Sequence, residues 1–356
     1  MKLSINLNGK IIEKQGNQFY FIAEIGTNYV EIAESEKRPL LETTEKMIKD
    51  IADAGADAVK FQIYTPDGLA DKKEIPEQFE YLKKHALLTF TDYDYLIEIC
   101  KKNKIEFIAT LFTDEAIEYF GPKLNIFKIS SPDITNKPML MKIGKFGKPV
   151  ILSTAGSTLV EISDALNWIG NVEIAILHCT GNYPTMEKDV NFAMIRNLND
   201  YFSNVVGYSD HINQDTFLNT PLYAFLVGAN IIEKHFTFNR FLTGNDHWHS
   251  LTSSTLRANI RLLSEAQKLL GNYHKTTLDS EISFITFGRR SLATKNDIKK
   301  GQIIKEEDLI ALRPGTGILP FEIDKIIGCK AKNKIDKNTI LYYTMISEKN
   351  ENSQAY

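Results

Sequence analysis

The stretch Ile231-Ile232-Glu233-Lys234-His235-Phe236 reads as a short buried strand that ends on a carboxylate and an imidazole. Residues i and i+2 of a strand share a face, so Glu233 and His235 project together. Val205-Val206-Gly207-Tyr208-Ser209 reads the same way and runs into Asp210 and His211, which puts Ser209 and His211 on one face. Two consecutive apolar strands, each ending on a histidine beside an acid or hydroxyl, point to a divalent metal on His211 and His235. Two satisfied core histidines are the alternative. Two imidazoles leave most of a coordination sphere to water and substrate oxygens, which suits Lewis-acid activation of a carbonyl rather than structural zinc. Such a donor set accepts Mn²⁺, Co²⁺, Zn²⁺ or Fe²⁺.

Lys60 and Lys128 also lie inside apolar runs. A lone buried charge is costly, so each needs a partner or a ligand. With hydroxyls at Thr110, Ser131, Ser153 and Ser209 they form a candidate pocket for a phosphate and a carboxylate. Pairing with Glu24 or Asp133 would satisfy the same lysines. His178 shares strand parity with Thr180 and stays outside the ligand set. His247 and His249 lie in a loop, 244–250, where they either bind substrate or are solvated. His85 and His274 have no supporting neighbours in the sequence.

These residues need a scaffold that gathers strand ends. Short apolar runs fall at 19–25, 58–63, 106–111, 126–130, 150–153, 174–179, 205–209 and 231–236, with helical patterns at 43–54, 92–103, 139–145, 159–169, 215–227 and 256–270. Eight strands alternating with helices predict a parallel (β/α)8 TIM barrel, whose C-terminal strand ends surround one opening. A doubly wound open sheet is the alternative; against it, Glu24-Ile25-Gly26-Thr27 is no Gly-rich phosphate loop. Polar groups close nearly every strand: Glu24, Lys60 with Gln62, Thr110, Lys128 with Ser131 and Asp133, Ser153, Thr180, Ser209 with His211, and Glu233 with His235.

Asn8-Gly9 between alternating stretches predicts an N-terminal hairpin. Domain boundaries fall at 1–271 for the barrel with its hairpin, 272–287 for a linker, 288–349 for a small β-rich domain and 350–356 for a tail. The chain has 356 residues, 43% hydrophobic and 24% charged, with net charge −3. That balance gives no electrostatic case for nucleic acid or an anionic membrane as partner. Three scattered cysteines form no disulfide or metal framework. The N-terminal residues lack the apolar core of a signal peptide, and no apolar run reaches the ~18 residues of a membrane span. A cytoplasmic setting is expected.

Several motifs, in this order and spacing, resemble the sialic acid (N-acetylneuraminate) synthase family. They are Ala23-Glu24-Ile25-Gly26-Thr27-Asn28, Ala54-Gly55-Ala56-Asp57-Ala58-Val59-Lys60-Phe61-Gln62, Lys128-Ile129-Ser130-Ser131 and Leu177-His178-Cys179-Thr180 with Tyr183-Pro184-Thr185. Gly207-Tyr208-Ser209-Asp210-His211, Glu233-Lys234-His235-Phe236-Thr237 and Gly244-Asn245-Asp246-His247 follow. Arg289-Arg290-Ser291-Leu292, Asp297-Ile298-Lys299-Lys300-Gly301 and Arg313-Pro314-Gly315-Thr316-Gly317-Ile318 are similar to the family's antifreeze-like (SAF) C-terminal domain.

The resemblance implies condensation of phosphoenolpyruvate with an N-acylated hexosamine, by default N-acetylmannosamine to N-acetylneuraminate plus phosphate. Sugars leading to legionaminic- or pseudaminic-type acids are the alternative. It implies metal ligation by His211 and His235, with Mn²⁺ first and Mg²⁺ or Co²⁺ as substitutes. Lys60, Thr110, Lys128, Ser131, Ser153 and Ser209 would hold phosphoenolpyruvate. Glu24, Gln62, Tyr183 and Asp246 would hold the sugar, with Glu233 and Asn182 also among the substrate contacts. Glu24 and Asp133 would be the catalytic carboxylates. Arg313 would reach the sugar across a homodimer with exchanged SAF domains; on sequence chemistry alone it reads as a solvated arginine. The chain departs from the family pattern at Asn28-Tyr29-Val30 and the insert to Thr43, at Thr110-Leu111-Phe112, at Asp133, at Gly181, and in having no asparagine between Thr65 and Cys100. All these departures bear on the sugar end. A metal-dependent aldolase or isomerase on the same barrel would release no phosphate. A non-enzymatic carbohydrate- or ice-binding protein would leave the barrel's charged mouth without a role.

Overall fold

The computed structural model describes residues 3–213, 219–271 and 275–348. Eight parallel strands close into a barrel: β3 (Tyr20–Gly26), β4 (Ala58–Ile63), β5 (Glu106–Leu111), β6 (Phe127–Ile129), β7 (Val150–Ser153), β8 (Ile174–Cys179), β9 (Val205–Asp210) and β10 (Ile231–His235). They follow one another in chain order, and β10 pairs with β3, so the sheet has no edge and the open-sheet alternative falls. They are preceded by an antiparallel hairpin of β1 (Ser4–Leu7) and β2 (Lys10–Glu13).

Strand parity sorts the barrel into two environments. Outward residues such as Phe21, Phe61, Phe107, Phe127 and Ile232 pack under the surrounding helices. Inward residues near the strand starts are apolar: Tyr20, Ile22, Ala58, Ile108, Ile126, Ile151, Ala175, Val205 and Ile231 cluster with Ile5, Leu7 and Ile12 of the hairpin. The hairpin therefore plugs the N-terminal end of the barrel. Further along most strands the same face turns polar, at Glu24, Lys60, Thr110, Lys128, Ser153, Ser209 and Glu233. Truncating one of the buried aliphatic side chains would cost about 2–5 kcal/mol through lost transfer energy and the cavity left behind.

Backbone freedom matters at two strand ends. Gly207 in β9 has room for no side chain, since a Cβ there would stand 2.3 Å from the Ile231 carbonyl oxygen. Gly26, at φ +56°, sits where the β3–β4 register shifts after Glu24, and a left-handed residue is cheapest as glycine.

The helices Leu40–Ala54, Phe90–Lys102, Lys137–Gly144, Leu159–Ile169 and Ser253–Leu270 lie where the periodicity predicts them, with starts up to three residues earlier. Thr89 with Asp92 and Thr158 with Glu161 form capping boxes that satisfy the free backbone N–H groups of the first turn. Thr220–Leu226 stands where 215–227 is expected, the preceding residues 214–218 lying outside the described ones. Helices Tyr29–Glu36, Pro76–His85, Asp114–Phe120 and Ala193–Tyr201, each ten residues or shorter, escape the sequence reading. Among the described residues, no helix is long and apolar enough to cross a membrane.

The chain divides into two compact units, 1–273 and 274–356. In the second, β11 (Ser291–Thr294) pairs antiparallel with β12 (Leu309–Leu312), and Leu292, Ile298, Ile304, Ile318, Ile326 and Leu341 form a core of their own. The segment read as a linker contains a helix, Ile282–Gly288, whose Thr286 carbonyl accepts from the Gly315 amide of this same unit. His274 and the expected tail at 350–356 lie outside the described residues.

Candidate active site

Adjacent strands hold their polar ends level. His235 of β10 pairs in register with Glu24 of β3, Glu24 with Lys60 of β4, Gln62 with Thr110 of β5, and Thr110 with Lys128 of β6. On the other side Glu233 pairs with Ser209, and Ser209 with Cys179. The result is a cavity of about 270 Å³ at the C-terminal mouth. Glu24, Lys60, Gln62, Thr110, Lys128, Ser131, Ser153, Tyr183, Ser209, His211, Glu233 and His235 all line it.

The two lysines and two glutamates form one buried network. Lys60 Nζ lies 2.7 Å from Glu24 Oε2 and 3.7 Å from Glu233 Oε1, and Lys128 Nζ lies 3.7 Å from Glu233 Oε2. Lys128 also donates to Ser153 Oγ at 2.7 Å and the Ile129 carbonyl at 3.1 Å. Ser209 donates to Glu233 at 3.1 Å, and Gln62 donates to Glu24 at 3.0 Å. Burial pushes the Glu24 carboxyl up, with Glu233 adding to it, and Lys60 only partly reverses this. Burial works the same way on Glu233, but Lys128 and Lys60 together outweigh it and hold that carboxyl low. Burial also lowers the Lys128 ammonium, helped by Lys60, whereas Lys60 is raised because Glu233 and Glu24 overcome its own desolvation. Lysine–carboxylate pairing, one of the two readings open on sequence, is thus present. It leaves a donor over: Thr110 Oγ1 is buried without a hydrogen-bond partner, while Ser131 Oγ accepts from the Ala155 amide at 2.9 Å.

His235 ends β10 and His211 follows β9, two residues beyond Glu233 and Ser209 respectively. Lys234 and Asp210 form an ion pair of 2.7 Å, both fully buried, which locks β10 to β9 on the helix side and so fixes the spacing of His235 and His211. The His211 and His235 ring centroids are 5.5 Å apart. His211 Nδ1 donates to the Thr180 carbonyl at 3.1 Å, which leaves Nε2 as a free lone pair. His235 Nδ1 is buried without a hydrogen-bond partner. Burial pushes His211 down to about 4 and His235 well below its ordinary value, so both are neutral, the form that ligates metal. Orphaned, neutral imidazole nitrogens fit a divalent cation here. The Cys179 thiol also lines the cavity, but burial pushes it up to about 12, which excludes a thiolate nucleophile.

Residues 47–275 match the NeuB family, and residues 289–347 match the SAF domain. The N,N'-diacetyllegionaminic acid synthase of Legionella pneumophila is 33% identical over 92% of this chain and 94% of its own length. The chain belongs to the NeuB family. The enzyme of the same name from Campylobacter jejuni is 35% identical, over 86% of this chain and 94% of its own length. Among solved structures, the N-acetylneuraminic acid (sialic acid) synthetase of Leptospira borgpetersenii, in complex with citrate, superposes with a TM-score of 0.71 at 30% identity, covering 80% of this chain and 96% of that one. This NeuB-family chain is therefore a phosphoenolpyruvate-condensing, C–C bond-forming nonulosonic acid synthase with a TIM barrel and a SAF domain.

Four candidate residues of this NeuB-family chain fall outside the cavity lining. Asp133 accepts from Ser130 Oγ at 3.0 Å and Asn136 Nδ2 at 3.3 Å, which braces the turn Ser131–Thr135, and it is not among the residues lining the cavity. Asn182 is exposed and lines a neighbouring cavity with Thr180, Gly181 and Asp189. Asp246 stands beside the histidines, 3.7 Å from His235 Nδ1, and burial together with Glu24 pushes its carboxyl up to about 7. Arg313 is exposed in the second unit.

Sequence reasoning left two further groups unassigned. His249 is fully buried, 4.8 Å between ring centroids from His235 and 5.8 Å from His211. His85 is buried too, contrary to its having no supporting neighbours: its Nε2 lies 2.6 Å from Glu31 Oε1, and its Nδ1 donates to the Tyr81 carbonyl at 2.7 Å. Glu31 Oε2 faces His247 Nε2 at 3.5 Å. The helix Tyr29–Glu36 within the inserted segment thereby ties Pro76–His85 to the loop that carries Asp246. Parity within strands gave no access to either group, since His249 sits in a loop and the Glu31–His85 pair joins two helices. The only sequence signal was the density of histidine and acid in 246–249.

Proposed function

We propose that this chain condenses phosphoenolpyruvate with the open-chain aldehyde of an N-acylated aminohexose, giving a nonulosonic acid and inorganic phosphate. The observation that carries the residue assignment is the convergence of Lys60, Lys128 and four hydroxyls on one cavity where Thr110 Oγ1 has no partner. In this reading the two ammonium groups and the hydroxyls of Thr110, Ser131, Ser153 and Ser209 grip the phosphate and carboxylate of phosphoenolpyruvate. Charge-assisted donors to an anion inside a dry pocket are the strong kind of contact. A divalent metal held by His211 and His235, Mn²⁺ by preference, supplies Lewis-acid polarisation of the aldehyde oxygen.

Carbon 3 of phosphoenolpyruvate attacks the aldehyde carbon, forming the C–C bond. The positive charge left at C2 is captured by water, which loses a proton to a base. Glu24 is placed for that role, because Lys60 on Oε2 and Gln62 on Oε1 hold its carboxylate at the cavity wall. The tetrahedral centre then expels phosphate by C–O cleavage. Tyr183, whose ring centroid is 4.1 Å from that of His211, together with Asp246 and Glu233 is assigned to the sugar side. Asp133, committed to the turn, is not given a catalytic part.

The sugar we favour is a 2,4-diacetamido-2,4,6-trideoxyhexose, supported by the two relatives named as diacetyllegionaminic acid synthases. N-acetylmannosamine is the second reading, supported by the Leptospira sialic acid synthetase structure. The assembly we propose is a homodimer in which the exposed Arg313 of one subunit meets sugar at the barrel mouth of the other. Its planar fork of donors suits that contact. The deciding experiment incubates purified protein with phosphoenolpyruvate, Mn²⁺ and a panel of N-acylated hexosamines, and follows phosphate release. Release with no member of the panel would overturn the reading.

A further inference from the structure

We infer that His249 is a third imidazole ligand of the metal centre, with the Asp246 carboxylate beside it, so that the loop 244–250 closes onto the cation. This rests on the metal reading above and extends its donor set beyond His211 and His235. His235, Asp246 and His249 each present a ligand atom within 4.8 Å of the others. His249 is fully buried, yet neither Nδ1 nor Nε2 has a hydrogen-bond partner, and His235 Nδ1 has none either.

An imidazole must carry a proton on one nitrogen and a lone pair on the other, and burying both without partners costs about 1–3 kcal/mol for each group. The facing acid does not remove that cost. Asp246 Oδ2 is 3.7 Å from His235 Nδ1, and Asp246 Oδ1 is 3.8 Å from His249 Nε2, both beyond hydrogen-bond reach. A divalent cation does remove it, because metal–nitrogen bonds of ~2.0–2.1 Å need their ligand atoms a few ångströms apart rather than in contact. The loop is held at this spot from behind: His247 Nδ1 bonds Thr237 Oγ1 at 2.8 Å, and Ser250 Oγ donates to the Asp246 carbonyl. Asn28 in turn reaches Ser250 Oγ at 3.2 Å and the Phe236 carbonyl at 2.9 Å. Histidine at 249 is thus presented inward by a fixed loop. A purely packing role would be filled as well by an apolar side chain with no orphaned nitrogens.

The consequence is retention. A centre with two protein ligands exchanges its metal readily; one with three imidazoles and a carboxylate holds it through dialysis and leaves fewer positions for substrate oxygens. The test loads metal-free protein with Co²⁺, and measures the dissociation constant by chelator competition and the visible d–d spectrum for wild type, His249→Ala and His235→Ala. We expect His249→Ala to weaken binding by about tenfold or more and to change the spectrum, since even outer partners of a ligand are worth 10–100-fold. The paramagnetically shifted proton spectrum of Co²⁺-loaded wild type should also show three exchangeable imidazole N–H signals, a count that needs no variant to fold. Two signals, or a His249→Ala protein with wild-type affinity and spectrum beside a His235→Ala protein that has lost binding, would overturn this inference alone. Wild-type protein that takes up no Co²⁺ would overturn the metal reading along with it.

Discussion

Replacing Lys128 with methionine separates an anion grip from a structural ion pair. The side chain is 2% exposed, its ammonium 2.7 Å from Ser153 Oγ and 3.7 Å from Glu233 Oε2. At an effective dielectric constant of about 20, two charges at that separation attract by roughly 4–5 kcal/mol, before desolvation of the lysine is subtracted. Desolvation takes back much of this, as the lowered Lys128 ammonium indicates. Glu233 keeps Lys60 at 3.7 Å and Ser209 at 3.1 Å after the substitution, so it is not stranded. Methionine fills similar volume without a charge. Lys60 then serves Glu24 and Glu233 alone, so the fold should lose less than the roughly 3–5 kcal/mol of a fully unpaired buried charge. The anion loses a buried charge-assisted donor worth about 1.5–3 kcal/mol, which is roughly a ten- to over a hundredfold rise in KM for phosphoenolpyruvate. Initial rates of phosphate release at saturating sugar, with phosphoenolpyruvate varied, measure this. The sugar KM should move much less. An unchanged phosphoenolpyruvate KM combined with a fall in Tm of many degrees would refute the reasoning and make Lys128 a structural partner of Glu233.

The Glu31–His85 pair should give stability a pH signature. Glu31 is held down to about 2, burial being outweighed by His247 and His85, so its contribution is full above about 4.5 and fades as pH falls toward 2. His85 is raised above 6.5, Glu31 and the Tyr81 carbonyl overcoming its burial, so its contribution is full below 6.5 and fades as pH rises through its folded value. Tm of the wild type should decline on the alkaline side of 6.5, and His85→Gln should flatten that decline; parallel curves would count against the pair. Asp133→Asn should keep activity within about tenfold in phosphate-release assays, because its carboxylate serves the Ser130 and Asn136 bonds; abolished activity in a folded protein would restore it as a catalytic group. Arg313→Ala and His235→Ala should each be nearly inactive alone but recover part of the activity when mixed and allowed to exchange subunits. Confirmed heterodimers without activity would rule out a shared site.

Much of the site was legible because a barrel strand has period two and its mouth is a ring. Once Glu233 and His235 were placed on one face, the same parity applied to Glu24, Lys60 with Gln62, Thr110, Lys128, Ser153 and Ser209, and closure of the sheet brought all of them to one cavity. Lys60 and Lys128 stood out for a physical reason: a charge inside an apolar run is too costly to be accidental. Residues on loops obey no such period. Asp133 shared the neighbourhood of Lys128 in sequence, yet a short turn spent its carboxylate on Ser130 and Asn136. His249, which read as either substrate-binding or solvated, is fully buried against His235, and His85, at a helix end, looked isolated and pairs with Glu31 across 54 residues of chain. The hairpin at the start of the chain was readable from Asn8-Gly9, but its place as the plug of the barrel floor was not. Local pattern determined which residues shared a face. Which faces, loops and distant helices met depended on long-range packing around a closed sheet, and that is decided by contacts between residues far apart in the chain, which no window of sequence contains.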